Sequence, residues 1–476
     1  MNHDVATTLY VGRELLEGKR LYIDILETNP PTIVLFAAAV VRVCQMLRVS
    51  SITGYHGFVL LMALAGTIAI QRACRYVGSL TSALLGIAYA LIVVGCGAPG
   101  TSELLYAFGQ REHLFVLAFV PYLVWRLLEG SARRTTTALA FVVGVYASQK
   151  PQCAALVVAF ELILATRARG ERSHPLLAFA TGAVLPYALL AILCPPSLVS
   201  LWKVIVPVHT GGVYAAFNGV YGNYTSSSVH AWLLVHGVAL TYFAWPLWRS
   251  PLLEKPWRTC MLLLLPLAYG LVIQQRKFWA YHSIPVLALV LVFVAYLASR
   301  HVLLLPKQRG RALLGLTLVA AVLEFGAALA SQRNALEQWK RGTGECSYLL
   351  KLVPALRPRH NVLYYSTSVQ HMRLAQYLNQ RLVGRFCHNF DYPALVHEVE
   401  PMRRSRLMND YCSRQVELIR TAKPEAIVFP PSSQALNSAD PTMHDLLVRQ
   451  CHVIPEDSYD AASVSDLPGA FLYLRR

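Results

Sequence analysis

The sequence predicts a polytopic α-helical membrane protein of about 10–12 transmembrane helices, followed by a small C-terminal α/β extracytoplasmic domain. Three observations predict it. Of 476 residues, 55% are hydrophobic and only 14% charged, against roughly 45–50% and 25% in soluble chains. Apolar segments of near-span length follow one another from Pro31 to about Ser331. After Arg333, charges of both signs return, and short apolar strands alternate with helices.

This composition excludes a soluble enzyme, a disordered chain and a collagen-like chain. The 43 Lys and Arg against 26 Asp and Glu give a formal charge of +17. Many of these basic residues stand singly or in pairs between apolar runs. That is the pattern of cytoplasmic loops under the positive-inside rule. A nucleic-acid-binding protein gathers its basic residues on one soluble face, so nucleic acid is not expected as a partner.

Segment 1–31 has no signal-peptide apolar core. It opens with polar residues and a helix from about Val5 to Glu17, closed by Gly18 as C-cap. It reads as an outer (periplasmic) loop with an amphipathic helix, whose preceding membrane helix is missing. Segment 32–331 is the transmembrane bundle. Spans are expected near 32–48, 55–71, 81–97, 114–128, 137–166, 176–194, 230–248, 259–275, 283–299 and 311–331. The 137–166 stretch contains Pro151 and is either one kinked helix or two short ones. Without β-barrel alternation, the bundle is helical.

Basic loops orient the second half. Arg167, Arg169 and Arg172, then Arg249, Lys255 and Arg258, then Arg300, Lys307, Arg309 and Arg311 mark the cytoplasmic side. Arg72, Arg75, Arg126, Arg133 and Arg134 mark it in the first half. Counting backward from there puts the N-terminal segment inside as well. One segment is therefore half-spanning or miscounted, and the Lys150-Pro151 break is the first candidate.

Segment 332–476 is the soluble α/β domain. Strands are expected at 361–366, 425–430 and 471–474, and helices at 369–380 and 404–422. Its cysteines, Cys346, Cys387, Cys412 and Cys451, fit no zinc motif. They form one or two disulfides or remain buried thiols. The other six lie in or beside spans and read as small apolar residues.

Four polar clusters sit at the predicted membrane boundaries, where polar side chains are costly and point to function. The first holds Asp4, Asp24 and Glu27. Asp4 also suits a helix N-cap. The second, around 97–113, holds Glu103, Gln110, Arg111, Glu112 and His113. Arg111 there binds a phosphate or pairs with a neighbouring carboxylate. In the third, Lys150 beside Pro151 faces an anionic headgroup or snorkels to the interface. The fourth, QQRKFWAYHSIP, brings Arg276, Lys277, Tyr281 and His282. The cations are placed to neutralise a lipid phosphate, and His282 to hydrogen-bond it or move a proton. The aromatics also fit an interfacial belt.

The run HDVATTLYVGRELLEGKRLYIDILETNPP, residues 3–31, resembles the first outer loop of the GT-C superfamily of polytopic glycosyltransferases. The bacterial mannosyltransferase-like and aminoarabinose-transferase-like members have this order of acid, helix, LL-x-G, LY-x-D and PP. The YHxxP stretch at Tyr281–Pro285 is similar to a pattern in the same superfamily.

The resemblance implies transfer of a sugar from a polyprenyl-phosphate donor to an envelope acceptor, in the bacterial inner membrane. It implies catalytic roles for Asp4, Asp24 and Glu27. It implies substrate or lipid-phosphate contacts for Arg276, Lys277, His282, Tyr281, Lys150, Arg111 and His113. It requires the N-terminal loop outside. Some members use a divalent cation and others do not, so the cofactor is left open. An O-antigen polymerase/ligase-like protein, or a secondary transporter, are the alternative readings.

Overall fold

In a computed structural model of the chain, the described residues are 3–75, 77–94, 108–128, 133–165, 174–207, 227–275, 280–340, 347–366, 371–384, 401–429, 443–462 and 470–476. The N-terminal segment forms α1 (His3–Leu16), and after a looped stretch the chain enters α2 (Pro31–Leu47). Pro31 opens α2, where a missing N–H costs nothing. The two helices lie tightly together. A Cβ on Gly12 would stand 2.7 Å from the backbone nitrogen of Ala38, so only glycine allows this approach.

The next helix, α3 (Ser51–Cys74), is capped by the Ser50 hydroxyl, which accepts from the Thr53 N–H at 3.1 Å. It is followed by α4 (Ser79–Val93), α5 (Arg111–Leu128), α6 (Arg133–Ala147) and α7 (Ala154–Ala165). Then come α8 (His174–Leu193), α9 (Ser227–Leu247), α10 (Lys255–Gln274), α11 (Ile284–Val302) and α12 (Lys307–Lys340). Among the described residues, five segments are long and apolar enough to cross a membrane: Ser51–Cys74, Pro175–Leu193, Lys255–Gln274, Tyr281–Val302 and Lys307–Ala327. Of these, α11 is the central one, buried almost throughout, because α4, α5, α9, α10 and α12 pack around it.

One feature differs from the hydropathy reading, and a second decides between two alternatives that reading left open. The expected span at 32–48 is α2, and both its ends lie at one level. At its start, Thr32 Oγ1 is 2.6 Å from Ser148 Oγ, and the preceding Asn29 meets Arg111. Beyond its end, Tyr55 in the first turns of α3 donates to the carbonyl of Gly109 at 2.5 Å. Gly109 and Arg111 are two residues apart. A crossing helix of 17 residues would separate its ends by about 25 Å at ~1.5 Å per residue. So α2 lies across the end of the bundle. Hydropathy measures burial, and α2 is buried against α1 and α3 rather than in lipid.

The 137–166 stretch is two helices, α6 and α7, joined by the turn at Ser148–Lys150 and a short 3₁₀ segment, Pro151–Cys153. The second turns back. Glu161 on α7 receives Arg126 from the far end of α5 through both oxygens, each at 3.1 Å, and the Tyr122 hydroxyl at 2.5 Å.

With both changes, α3 to α12 alternate in direction. The starts of α3, α5, α7 and α11 share one end of the bundle with the ends of α4, α6 and α10. The described basic residues Arg72, Arg75, Arg126, Arg249, Lys255, Arg258, Arg300, Lys307, Arg309 and Arg311 gather at the other.

The C-terminal domain carries a five-stranded sheet. Its strands are β1 (Asn361–Tyr364), β2 (Arg381–Leu382), β3 (Ala426–Phe429), β4 (Tyr459–Ala462) and β5 (Phe471–Arg475), in the order β2-β1-β3-β5-β4. Parallel β2, β1 and β3 are joined through α14 (His371–Tyr377) and α15 (Pro401–Ala422), preceded by α13 (Ser347–Leu356); β5 and β4 run antiparallel. The expected strands and helices are present. β2 and β4 are too short or too polar to stand out in the sequence. Cys412 and Cys451 form a disulfide, whereas Cys346 and Cys387 lie outside the described residues.

This domain docks on α1. Tyr10 Oη accepts from the Leu382 N–H at 2.9 Å, and Arg13 donates to the Gln380 carbonyl at 2.7 Å and to the Asn379 side chain. Arg381 pairs with Glu17 at 2.5 Å, and Gln376 reaches Ser51 at 3.0 Å. The domain therefore sits at the same end of the bundle as α1 and α2.

Candidate active site

At that end, residues from four separate stretches converge on the start of α5. Asp4 lies in the first turn of α1, and its Oδ2 accepts from Gln110 Nε2 at 3.0 Å. Arg111 donates to Asn29 Oδ1. Asn29 in turn donates to Glu27 Oε1, from its backbone N–H at 2.9 Å and from its side chain at 2.8 Å. Asp4, Glu27 and Arg111 are thus brought together through two amides. Glu27 is buried. Burial pushes its carboxyl above the usual carboxylate range, against the opposing pull of the Asn29 N–H and of Arg111.

One residue further along α5, Glu112 faces a second group. Its Oε1 lies 2.6 Å from Lys150 Nζ and 3.8 Å from His282 Nε2. All three side chains are buried. The Pro151 break makes this possible. It ends α6 and frees the chain at 148–150 to turn Lys150 inward, while the 3₁₀ turn Ala280–Ser283 brings His282 in beneath α11. Tyr281 packs its ring edge-on against His282, with centroids 4.6 Å apart. Because Arg111 and Glu112 are adjacent, the two groups share the N-terminus of one helix. Its dipole there favours the Glu112 carboxylate.

Not every expected residue enters this arrangement. Asp24 is held by Arg20, accepting from its backbone N–H at 2.8 Å and from its guanidinium at 2.9 and 3.0 Å, on an exposed turn. It shapes the loop after α1. His113 is buried between α5 and α4. Its Nδ1 accepts from the Gly109 N–H at 3.1 Å, which makes Nε2 the donor to the Ile92 carbonyl at 3.1 Å. It pins the loop that presents Gln110 and Arg111. Arg276, Lys277 and Glu103 lie outside the described residues.

The sequence points to Lys150 and His282 separately but not to Glu112 as their common partner. The available signal was the position of Lys150 inside an apolar stretch, where a lysine needs a counter-charge. Gln110 stood in the second polar cluster, but nothing in the sequence joined it to Asp4, and Asn29 carried no signal of its own, since a neutral amide has no characteristic spacing. Among the described residues, no three His, Cys, Asp or Glu side chains converge as a metal site.

No family model and no curated protein matches the chain. Among solved structures, it is similar to ArnT from Cupriavidus metallidurans in the apo state, with a TM-score of 0.54. That likeness covers 98% of this chain and 92% of the other at 14% identity. ArnT is an aminoarabinose transferase with the GT-C architecture. This chain has the GT-C fold. A weaker likeness joins it to the arabinofuranosyltransferase AftD from Mycobacteria, with a TM-score of 0.45 and 13% identity, covering 92% of this chain and 35% of that one. Within this fold, the first loop, the start of α5, the turn at Ser148–Lys150 and the turn before α11 supply the described polar cluster at the bundle end.

Proposed function

We propose that the chain is a membrane glycosyltransferase that moves a sugar from a polyprenyl-phosphate donor to an envelope acceptor at the outer face of the bacterial inner membrane. The observation that carries this reading is the meeting of Asp4, Glu27 and Arg111 with the Glu112–Lys150–His282 group at one end of the bundle. Transfer to a hydroxyl needs a carboxylate for the acceptor proton and cations for the departing phosphate. Both kinds of group are at hand there.

In this reading the acceptor oxygen attacks the anomeric carbon, and its proton passes to Asp4, which Gln110 holds in place. The bond from the anomeric carbon to the phosphate oxygen breaks, and the electron pair leaves on the phosphate. Arg111 and Lys150 stabilise that charge. Glu27 fixes Asn29 and through it Arg111. Glu112 holds Lys150 and His282 in position. No step is routed through a metal ion.

Two features support the outer face. The described basic residues that follow α3, α5, α9 and α11 in short loops gather at the opposite end, as cytoplasmic loops do. The Cys412–Cys451 disulfide suits an oxidising compartment. A hexose and a pentose serve the chemistry equally, and the acceptor is a lipid, a glycan or a protein of the envelope.

Transfer is tested with membranes carrying the chain and polyprenyl-phosphate sugars. An Asp4→Asn variant should lose most of the transfer, and unchanged transfer removes Asp4 from the mechanism. Orientation is tested with an impermeant thiol reagent on intact spheroplasts. Cysteine at Ser458 should label and cysteine at Lys307 should not; the reverse pattern overturns the outer-face assignment.

A further inference from the structure

The C-terminal domain has a second basic feature, apart from the bundle end. A cleft of about 340 Å³ opens on its sheet, lined by Pro358, Arg359, Glu425, Arg475 and Arg476. These residues come from three separate stretches. Arg359 precedes β1, Glu425 precedes β3, and Arg475 and Arg476 end β5. Parallel β1 and β3 begin at this edge, and antiparallel β5 finishes there, so the topology gathers the three arginines at one place.

The arginines are held from behind. Arg359 donates to the Ala355 carbonyl, and Arg475 to the Lys423 carbonyl at 3.3 Å. Arg476 donates to Asp460 at 2.8 Å and to the Asp457 carbonyl at 3.3 Å. A guanidinium carries five N–H donors, so each keeps several for the cleft. Among the described residues, neither Arg359 nor Arg475 has a carboxylate within ion-pair distance. The one acid of the cleft, Glu425, accepts from the His360 N–H at 2.9 Å. Two guanidinium groups with no carboxylate of their own, Arg359 and Arg475, and a third paired with Asp460 therefore face one carboxylate that already serves the backbone.

From this we infer that the cleft is a binding site for a phosphoryl group, carried by a lipid headgroup or by a soluble phosphate. Forked guanidinium donors match phosphate oxygens in pairs, and charge-assisted bonds of this kind are about twice as strong as neutral ones. The volume is at the lower end of ligand pockets, which run from roughly 300 to 1,000 Å³. It takes a phosphate with a small substituent rather than an extended oligosaccharide. The cleft lies at the sheet edge that meets α1. The residue after it, His360, accepts at its carbonyl from the Arg381 N–H at 2.6 Å, and Arg381 pairs with Glu17. A phosphoryl group bound there would stand beside the docking surface of the domain.

The test uses the full chain in nanodiscs of zwitterionic lipid, titrated with inorganic pyrophosphate by calorimetry. Saturable binding is expected, weakened at least 10-fold in the Arg359→Gln/Arg475→Gln double variant. Arg357→Gln, outside the cleft, and Lys150→Gln, at the bundle end, should each leave this component unchanged. Arg475→Lys, which keeps charge but loses the fork, should weaken it about 3- to 10-fold. Equal affinity in wild type and double variant, with the variant's thermal melting unchanged, overturns the proposal, as does loss of the component in Lys150→Gln. Replacing part of the lipid with phosphatidic acid separates the two sources. Competition with pyrophosphate assigns the site to a headgroup, and unchanged affinity assigns it to a soluble phosphate.

Discussion

Glu112 in the first turn of α5 and Lys150 just before the Pro151 break meet at 2.6 Å in a buried setting. Charges taken out of water hold together only in pairs, and removing one partner leaves the other without compensation. Glu112→Ala should therefore destabilise the chain by about 3–5 kcal/mol, read as a lowered melting temperature in detergent. Replacing both together, Glu112→Gln with Lys150→Met, should recover most of that loss while transfer stays low. If the double variant transfers normally, the pair is structural only.

Burial holds the Glu27 carboxyl above the ordinary range, so its pH dependence has a definite sign. The folded chain binds this proton more tightly than the unfolded one. The contribution to stability is full below the unfolded value and is lost as pH rises through the folded value. Glu27→Gln should abolish that decline in thermal melts between mildly acidic and neutral pH. Asn29→Ala removes the side-chain donor to the carboxylate and leaves the backbone one, and should move the decline to higher pH. A melting profile that is the same in all three chains contradicts this.

Gln110 anchors Asp4 across a sequence separation of 106 residues. General acid–base help is worth typically 10²–10⁴-fold. Asp4→Ala should lower kcat by about that range, and Gln110→Ala by a smaller factor, on the order of 10-fold, with little change in KM. Steady-state transfer in membranes measures both. A Gln110→Ala chain with only a raised KM would place the amide in binding instead.

Gly12 sets the distance between α1 and α2. A Cβ there meets the backbone of Ala37 and Ala38, which cannot yield as a side chain would. Gly12→Val should cost about 1–3 kcal/mol and displace Asp4 along with α1. Thermal melting gives the first effect, and loss of transfer gives the second.

The docking of the C-terminal domain rests on few groups. Tyr10→Phe leaves the buried Leu382 N–H without its acceptor, a cost of about 1–3 kcal/mol. Arg13→Ala removes the bonds to Asn379 and Gln380. Hydrogen exchange at 371–384 should quicken in each variant while the transmembrane helices keep their protection.

The sequence by itself determined the class of this protein. Low charge, near-span apolar runs and a return of mixed charge after Arg333 are local sums, and transfer free energy and helix or strand periodicity follow from them directly. It also marked Asp4, Glu27, Arg111, Lys150 and His282, because charged groups in an apolar context stand out.

Only the tertiary structure decided that α2 lies across the bundle end, since hydropathy reports how apolar a segment is and not the direction in which it runs. Likewise only the fold paired Asp4 with Gln110 and Lys150 with Glu112, and left Asp24 on its own turn with Arg20. Those pairings depend on which helix ends the packing brings to one level, a relation between distant segments that no local pattern contains.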